Sequence, residues 1–95
     1  MLIFQQGMIK MILNKKDEKL GKSEAVYSLL LSISVKYSRY LMNIWDIKGN
    51  DDTFDLAAIK EILFFEDAII VLSKKGMGMF INLNQVIAMD LVVKQ

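Results

Sequence analysis

Polar and apolar positions alternate with a period of two along several stretches of this chain, and each such stretch predicts a strand. In Met8–Asn14, residues Ile9, Met11 and Leu13 share one face. The charged run Lys15–Ser23, with Gly21 inside it, predicts a loop. Further on, Ile59–Phe65, Ala68–Ser73 and Met77–Leu83 are apolar runs separated by Glu66-Asp67 and by Lys74-Lys75-Gly76. That spacing predicts two successive hairpins, with Gly76 supplying a positive φ. Asn82-Leu83-Asn84-Gln85 then interrupts the pattern before a last strand, Val86–Val93. Ile87, Met89, Leu91 and Val93 line one of its faces, and Val86, Ala88 and Val92 leave the other mostly apolar around Asp90. A strand covered on both faces belongs in a closed barrel or an intersubunit sheet.

Residues 24–47 carry two periodicities at once. Leu29, Leu31, Ile33, Val35 and Tyr37 alternate as a strand would, whereas Val26, Leu29, Leu30, Ile33, Tyr37, Tyr40, Leu41 and Ile44 recur at helical spacing behind Ser23 as a cap, with Gly49 placed to end the helix. Four serines and several β-branched or aromatic residues favour two strands broken near Ser38-Arg39. Gly49-Asn50-Asp51-Asp52 predicts a turn, after which Asp52 or Thr53 can cap a short helix near residues 53–62. No internal repeat, heptad or low-complexity segment is visible. The expected fold is mainly β: a small curled sheet or SH3-like/PH-like barrel ending in a β-meander, with that one short helix. The alternative is a long helix over residues 24–47 packed on a C-terminal meander.

The stretch Ile59–Leu91, IKEILFFEDAIIVLSKKGMGMFINLNQVIAMDL, resembles the hairpin-hairpin-strand run of small bacterial and phage-encoded β-barrel proteins, SH3-like and bacterial PH-like domains among them. It covers about a third of the chain and contains no functional motif. The Lys-, Asn- and Ile-rich flavour is similar to products of low-GC bacteria and their phages. The resemblance implies a regulator, inhibitor or anti-defence protein.

Composition narrows the chemistry more than it names it. Ninety-five residues form one domain, residues 1–95, of which 1–7 are expected to be disordered. A hydrophobic share of 54% and a mean hydropathy of +0.33 leave apolar surface over for a second copy or a partner. With no His and no Cys, nucleophilic Cys-His or Ser-His constellations, structural zinc, disulfides and thiol chemistry are excluded. The start of the chain lacks a signal-peptide pattern, and Lys36 and Arg39 interrupt the longest apolar stretch, so the expectation is a cytoplasmic protein with no membrane partner. Net charge is only +1, unevenly spread: residues 1–40 hold seven Lys/Arg against three acids, and residues 41–95 five against eight.

The remaining candidates are weak as catalysts. Asp51, Asp52 and Asp55 cluster as hard cations prefer, without the order of a calcium loop, and turn formation and capping explain them better. Gly76-Met77-Gly78 lacks a third glycine and joins strands, so it is no phosphate loop. Lys36, Tyr37, Arg39 and Tyr40 form the best nucleic-acid candidate, able to offer phosphate contacts and stacking rings; against it, the tyrosines can equally close the core. Trp45, Met77, Met79, Phe80, Ile87, Met89 and Leu91 are the candidate interface residues, since methionine and aromatic side chains make adaptable anchors. No catalytic, metal or cofactor residue is assigned. The functional expectation is a non-catalytic, homo-oligomeric interaction protein that binds and regulates or inhibits another protein. A nucleic-acid-binding barrel and a small-ligand-sequestering oligomer are the alternatives.

Overall fold

The structure is a computed structural model and describes residues 11–95. The expected disorder at 1–7, and Ile9 of the first expected strand, lie outside them. Strand β1 is Ile12–Lys15, and helix α1 is Ser23–Ser32. A 3-10 turn, Tyr37–Arg39, leads into β2, Tyr40–Asp46, and β3, Asp51–Asp55. A second 3-10 turn, Leu56–Ala58, opens β4, Ile59–Phe65, which is followed by β5, Ala68–Ser73, and β6, Gly78–Asn82. A third such turn, Leu83–Gln85, opens β7, Val86–Val93.

The strands form two sheets, β1-β4-β5-β6 and β3-β2-β7, with β1 parallel to β4 and the other pairs antiparallel. The mainly β class and the β4-β5-β6 meander stand as expected. Among the described residues no closed barrel forms. β7 leaves the meander and pairs with β2 instead.

Residues 24–47 correct both readings of them, because the segment is neither two strands nor one long helix. Its first part is α1 and its last part β2, divided at the Tyr37–Arg39 turn. As a helix, the segment buries Ser23, Val26 and Leu30 together and sets Tyr27 edge-on to Phe64, with ring centroids 5.0 Å apart. The face that alternation would have buried is largely in solvent: Leu29, Leu31 and Val35 are all exposed. Ser23 does not cap α1; it is the first helical residue, and its hydroxyl donates to the Leu20 carbonyl. The expected helix near residues 53–62 is also absent. There β3, a single 3-10 turn and β4 follow one another, and Asp55 caps that turn by accepting from the Ala57 N–H.

The absence of a repeat is corrected as well. Adding 27 to each number of 40–66 maps that segment onto 67–93, and the pairings follow. Met42↔Phe54 becomes Ile69↔Ile81, and Met42↔Leu91 corresponds to Ile69↔Phe64. Each half is a hairpin, a 3-10 corner and a strand that joins the other half's sheet. Cross-links between the halves are reciprocal, Ile47 N–H to the Gln85 carbonyl and Lys74 N–H to the Ala58 carbonyl, both 2.9 Å. The registers slip at matching places, so that Lys60 and Ile87 are each an extra, bulged residue just after a corner. The two halves are therefore related by a pseudo-twofold axis running between the sheets, although only Lys48/Lys75, Gly49/Gly76 and Leu56/Leu83 are identical.

Burial follows the same symmetry. Met42 and Ile44 match Ile69 and Val71, all four buried between the sheets with Leu56, Ile62, Phe64 and Leu83. Helix α1 and β1 add to the first sheet alone. They close one end of the core with Met11, Leu20, Val26 and Leu30.

Candidate interaction surfaces

Side chains alternate across a sheet, so the registers fix what each outer face displays. On the three-stranded sheet the middle row is polar and internally bonded. The Thr53 hydroxyl donates to Asn43 Oδ1 over 2.8 Å, and Asn43 Nδ2 donates to Asp90 Oδ1 over 3.0 Å. Trp45 stands beside this row, paired with Asp51 and Ala88.

The corresponding row of the four-stranded sheet is Phe80, Ile70 and Leu63, reached by the same offset from Thr53, Asn43 and by its reverse from Asp90. Leu72, Phe65 and Ile12 extend it. None of these side chains packs against the buried core, and Phe80 is 66% exposed. Among the described residues, the polar groups on this face are Asn82 on β6, and Asn14 on β1 with Glu61 on β4, whose side chains are hydrogen-bonded to each other. The middle rows of the two symmetric outer faces thus differ completely in chemistry, while Leu41, Trp45 and Val92 leave the flanks of the polar one apolar.

Between the sheets, the outer strands β3 and β6 border an open seam. It holds two small cavities that the pseudo-twofold interchanges. One, about 200 Å³, is lined by Phe54, Ile59, Val71, Ser73, Met77 and Met79. The other, about 120 Å³, is lined chiefly by Ile44, Asp46, Asp52, Met79, Ile81 and Val86. Ser73 and Met79 in the first stand where Asp46 and Asp52 stand in the second. Asp46 is held below the usual carboxylate range, first by the Asn50 backbone N–H, against a smaller opposing effect of burial, and then by the Lys48 N–H and the Asn50 side chain.

The expected interface residues separate by position. Met77, Met79 and Phe80 lie together and exposed on and before β6, and Ile87 is exposed as the bulged residue of β7. Met89 and Leu91 instead face inward, partly buried against the core, paired with the buried Ile44 and Met42, and the bulge gives Val86 the inward place that Ile87 would take in a regular strand. β7 is therefore an outer strand with one open face, not a strand covered on both sides. Leu63, Phe65, Ile70 and Leu72 were missing from the expected set. Their signal is the apolar run Ile62–Phe65 of β4 and the run Ala68–Leu72 of β5, each apolar at both parities.

The nucleic-acid candidates do not form a stacking surface. Tyr37 is 3% exposed, and burial raises its phenol pKa; Tyr40 packs against the core, leaving only Lys36 and Arg39 in solvent. Asp51, Asp52 and Asp55 lie on β3 and not in a loop, and Asp55 pairs with Lys94 at 2.9 Å. Among the described residues no group of three acids is placed to hold a metal ion. A cleft of about 500 Å³ lies beside α1 between Lys15, Lys19, Glu18, Glu24, Glu66 and Tyr27, where opposite charges offset one another. No helix of the described residues is long and apolar enough to cross a membrane. No protein-family model, curated protein or solved structure matches the chain.

Proposed function

We propose that this chain is a non-catalytic, cytoplasmic interaction protein that pairs with a second copy of itself through the outer face of its four-stranded sheet and regulates or inhibits a protein partner. The observation that carries the reading is the internal comparison. The same backbone position is filled twice, once with Thr53-Asn43-Asp90 and once with Phe80-Ile70-Leu63. The first row shows how this fold is finished toward water. The second is what an exposed sheet face carries when another apolar surface covers it. Four strands of about five residues measure roughly 300 Å² in plan, the size at which an apolar patch is usually functional. Like faces meeting about a twofold axis would bury the central row of Phe80, Ile70 and Leu63, which carries no charge, while the Glu61 carboxylate beside it keeps its hydrogen bond from Asn14.

Sedimentation across a wide concentration range tests this. The wild-type chain is expected to dimerise, and Phe80→Lys to weaken the dimer at least tenfold with an unchanged circular dichroism spectrum, because Phe80 is largely exposed within the chain. A wild-type monomer throughout that range would overturn the self-association.

A further inference from the structure

We propose that the seam between β3 and β6 binds an extended peptide segment of a partner protein, one carrying an apolar residue and, two positions along, a lysine or arginine. This rests on the reading of the chain as a binding protein but not on its self-association, which uses the opposite side of the four-stranded sheet. β3 and β6 are the outer strands of their sheets among the described residues, and an outer strand is a template for a further one.

The two strands are symmetric in place and opposite in character. β3 reads Asp-Asp-Thr-Phe-Asp, whereas β6 reads Gly-Met-Phe-Ile-Asn with Met77, 72% exposed, just before it. The halves also differ in total charge. Residues 40–66 hold six acids against two lysines, while 67–93 hold two against two.

Charge complementarity names the occupant. The cavity of about 200 Å³ has room for one aliphatic or methionine side chain among Phe54, Ile59, Val71 and Met79. Its symmetric counterpart presents the exposed Asp52 carboxylate, with Asp46 beside it already holding its own turn, and an ammonium or guanidinium group satisfies Asp52 and adds to the charge complement of Asp46. Phe54 marks the first cavity and Asp52 the second, two residues apart on the same face of β3, hence about 7 Å. A strand lying along the seam presents its residues i and i+2 at that same interval. Met79 lines both cavities, and its unbranched side chain can adjust to either.

The test is an amide-resolved NMR titration of the full chain with end-capped eight-residue peptides of alternating threonine and valine. Their centres are Leu-Thr-Lys, Leu-Thr-Glu or Thr-Thr-Lys. The expected result is chemical-shift change at Asp51–Asp55 and Gly78–Asn82, with the Leu-Thr-Lys peptide binding at least fivefold more tightly than either control. Asp52→Asn, at an exposed position, should reduce the preference for lysine over glutamate at least threefold. Equal affinities for the three peptides, or shifts confined to the outer face around Leu63 and Ile70, would overturn the proposal. So would shifts in the seam that follow protein concentration without peptide, which would assign it to a second copy. Light scattering on the same samples reports dimerisation separately, so a failure of one reading leaves the other to stand on its own result.

Discussion

Asp46 and Ser73 occupy the same place in the two halves of the molecule and do the same work with different chemistry. Asp46 Oδ1 accepts the backbone N–H groups of Lys48 and Asn50, both at 2.9 Å. Ser73 Oγ accepts those of Lys75 and Met77, at 3.2 and 3.1 Å. Each turn is closed further by a glycine N–H, from Gly49 to the Asp46 carbonyl and from Gly76 to the Ser73 carbonyl. A short side-chain acceptor followed three positions later by glycine is therefore the local code for the hairpin of each half, and it survives where the flanking sequence has diverged.

The glycines of those turns should respond alike to substitution. Gly49 and Gly76 adopt φ of 86° and 90°, and a Cβ at either meets nothing within 4 Å, so only the backbone opposes a side chain. Gly49→Ala and Gly76→Ala should each cost about 1–2 kcal/mol in urea denaturation at fixed protein concentration, adding within about 0.5 kcal/mol in the double variant. Gly21→Ala should cost more than either. Its φ is also positive, and a Cβ there would lie 2.7 Å from the Glu66 carbonyl oxygen, which is backbone.

Acid should weaken the fold through two carboxylates of the first half. Asp46 and Asp55 both titrate below the ordinary carboxylate value of 3.8, Asp46 chiefly through the Asn50 N–H and Asp55 chiefly through the Lys94 side chain. A carboxyl whose pKa is depressed on folding contributes stability that is present above its unfolded pKa and lost as pH falls through its folded value. Urea midpoints should thus decline as pH is lowered toward about 3, within the titration range of carboxylates. Asp46→Asn keeps an acceptor oxygen for the turn but should flatten that decline. An unchanged pH slope would show that the turn N–H groups do not hold the charge.

Strands β5 and β7 were legible in the sequence to the residue, because apolar runs bounded by Lys-Lys-Gly, Glu-Asp and Asn-rich corners punctuate themselves. Residues 24–47 were not. Their alternating and helical periods coincide, and the choice is made by the core, where Tyr27 meets Phe64, a residue far along the chain, and Leu30 is buried once α1 forms. The repeat was hidden because three identities in 27 positions carry no visible pattern. What repeats is the spacing of acceptor, positive-φ glycine, capping Asp or Asn, buried Leu and bulge. Met77, Met79 and Phe80 were legible as interface candidates, although core filling was the competing role for the methionines, and only the structure shows all three exposed, on and just before β6. The outer-face row around Ile70 required the registers, since nothing in β4 or β5 alone says which parity faces inward.

Symmetric core positions should differ in cost because α1 and β1 cover only one sheet. Phe64 is fully buried and touches Tyr27, while its counterpart Leu91 is partly exposed at an outer strand. Phe64→Ala should destabilise by about 3–5 kcal/mol, and Leu91→Ala by about 1–2 kcal/mol. Similar losses at the two sites would mean that the helix adds little to the core.

The two outer faces allow a substitution experiment in which the protein supplies its own template. Thr53, Asn43 and Asp90 already sit on this backbone as a hydrogen-bonded row in water, so their side chains are known to suit the geometry. Transferring them to the symmetric row gives the triple variant Phe80→Thr, Ile70→Asn, Leu63→Asp. The new Asp would lie beside Asn14, which pairs with position 63 in β1 and can offer it a donor. Because none of the three replaced side chains packs against the buried core, the variant should keep its far-ultraviolet spectrum and lose its concentration-dependent mass. If the wild type dimerises through this face, monomers should persist at a protein concentration at least a hundredfold above the wild-type dissociation constant. A folded triple variant that still dimerises with wild-type affinity would place the contact elsewhere, with the exposed Ile87 and Val92 of β7 the next surface to test.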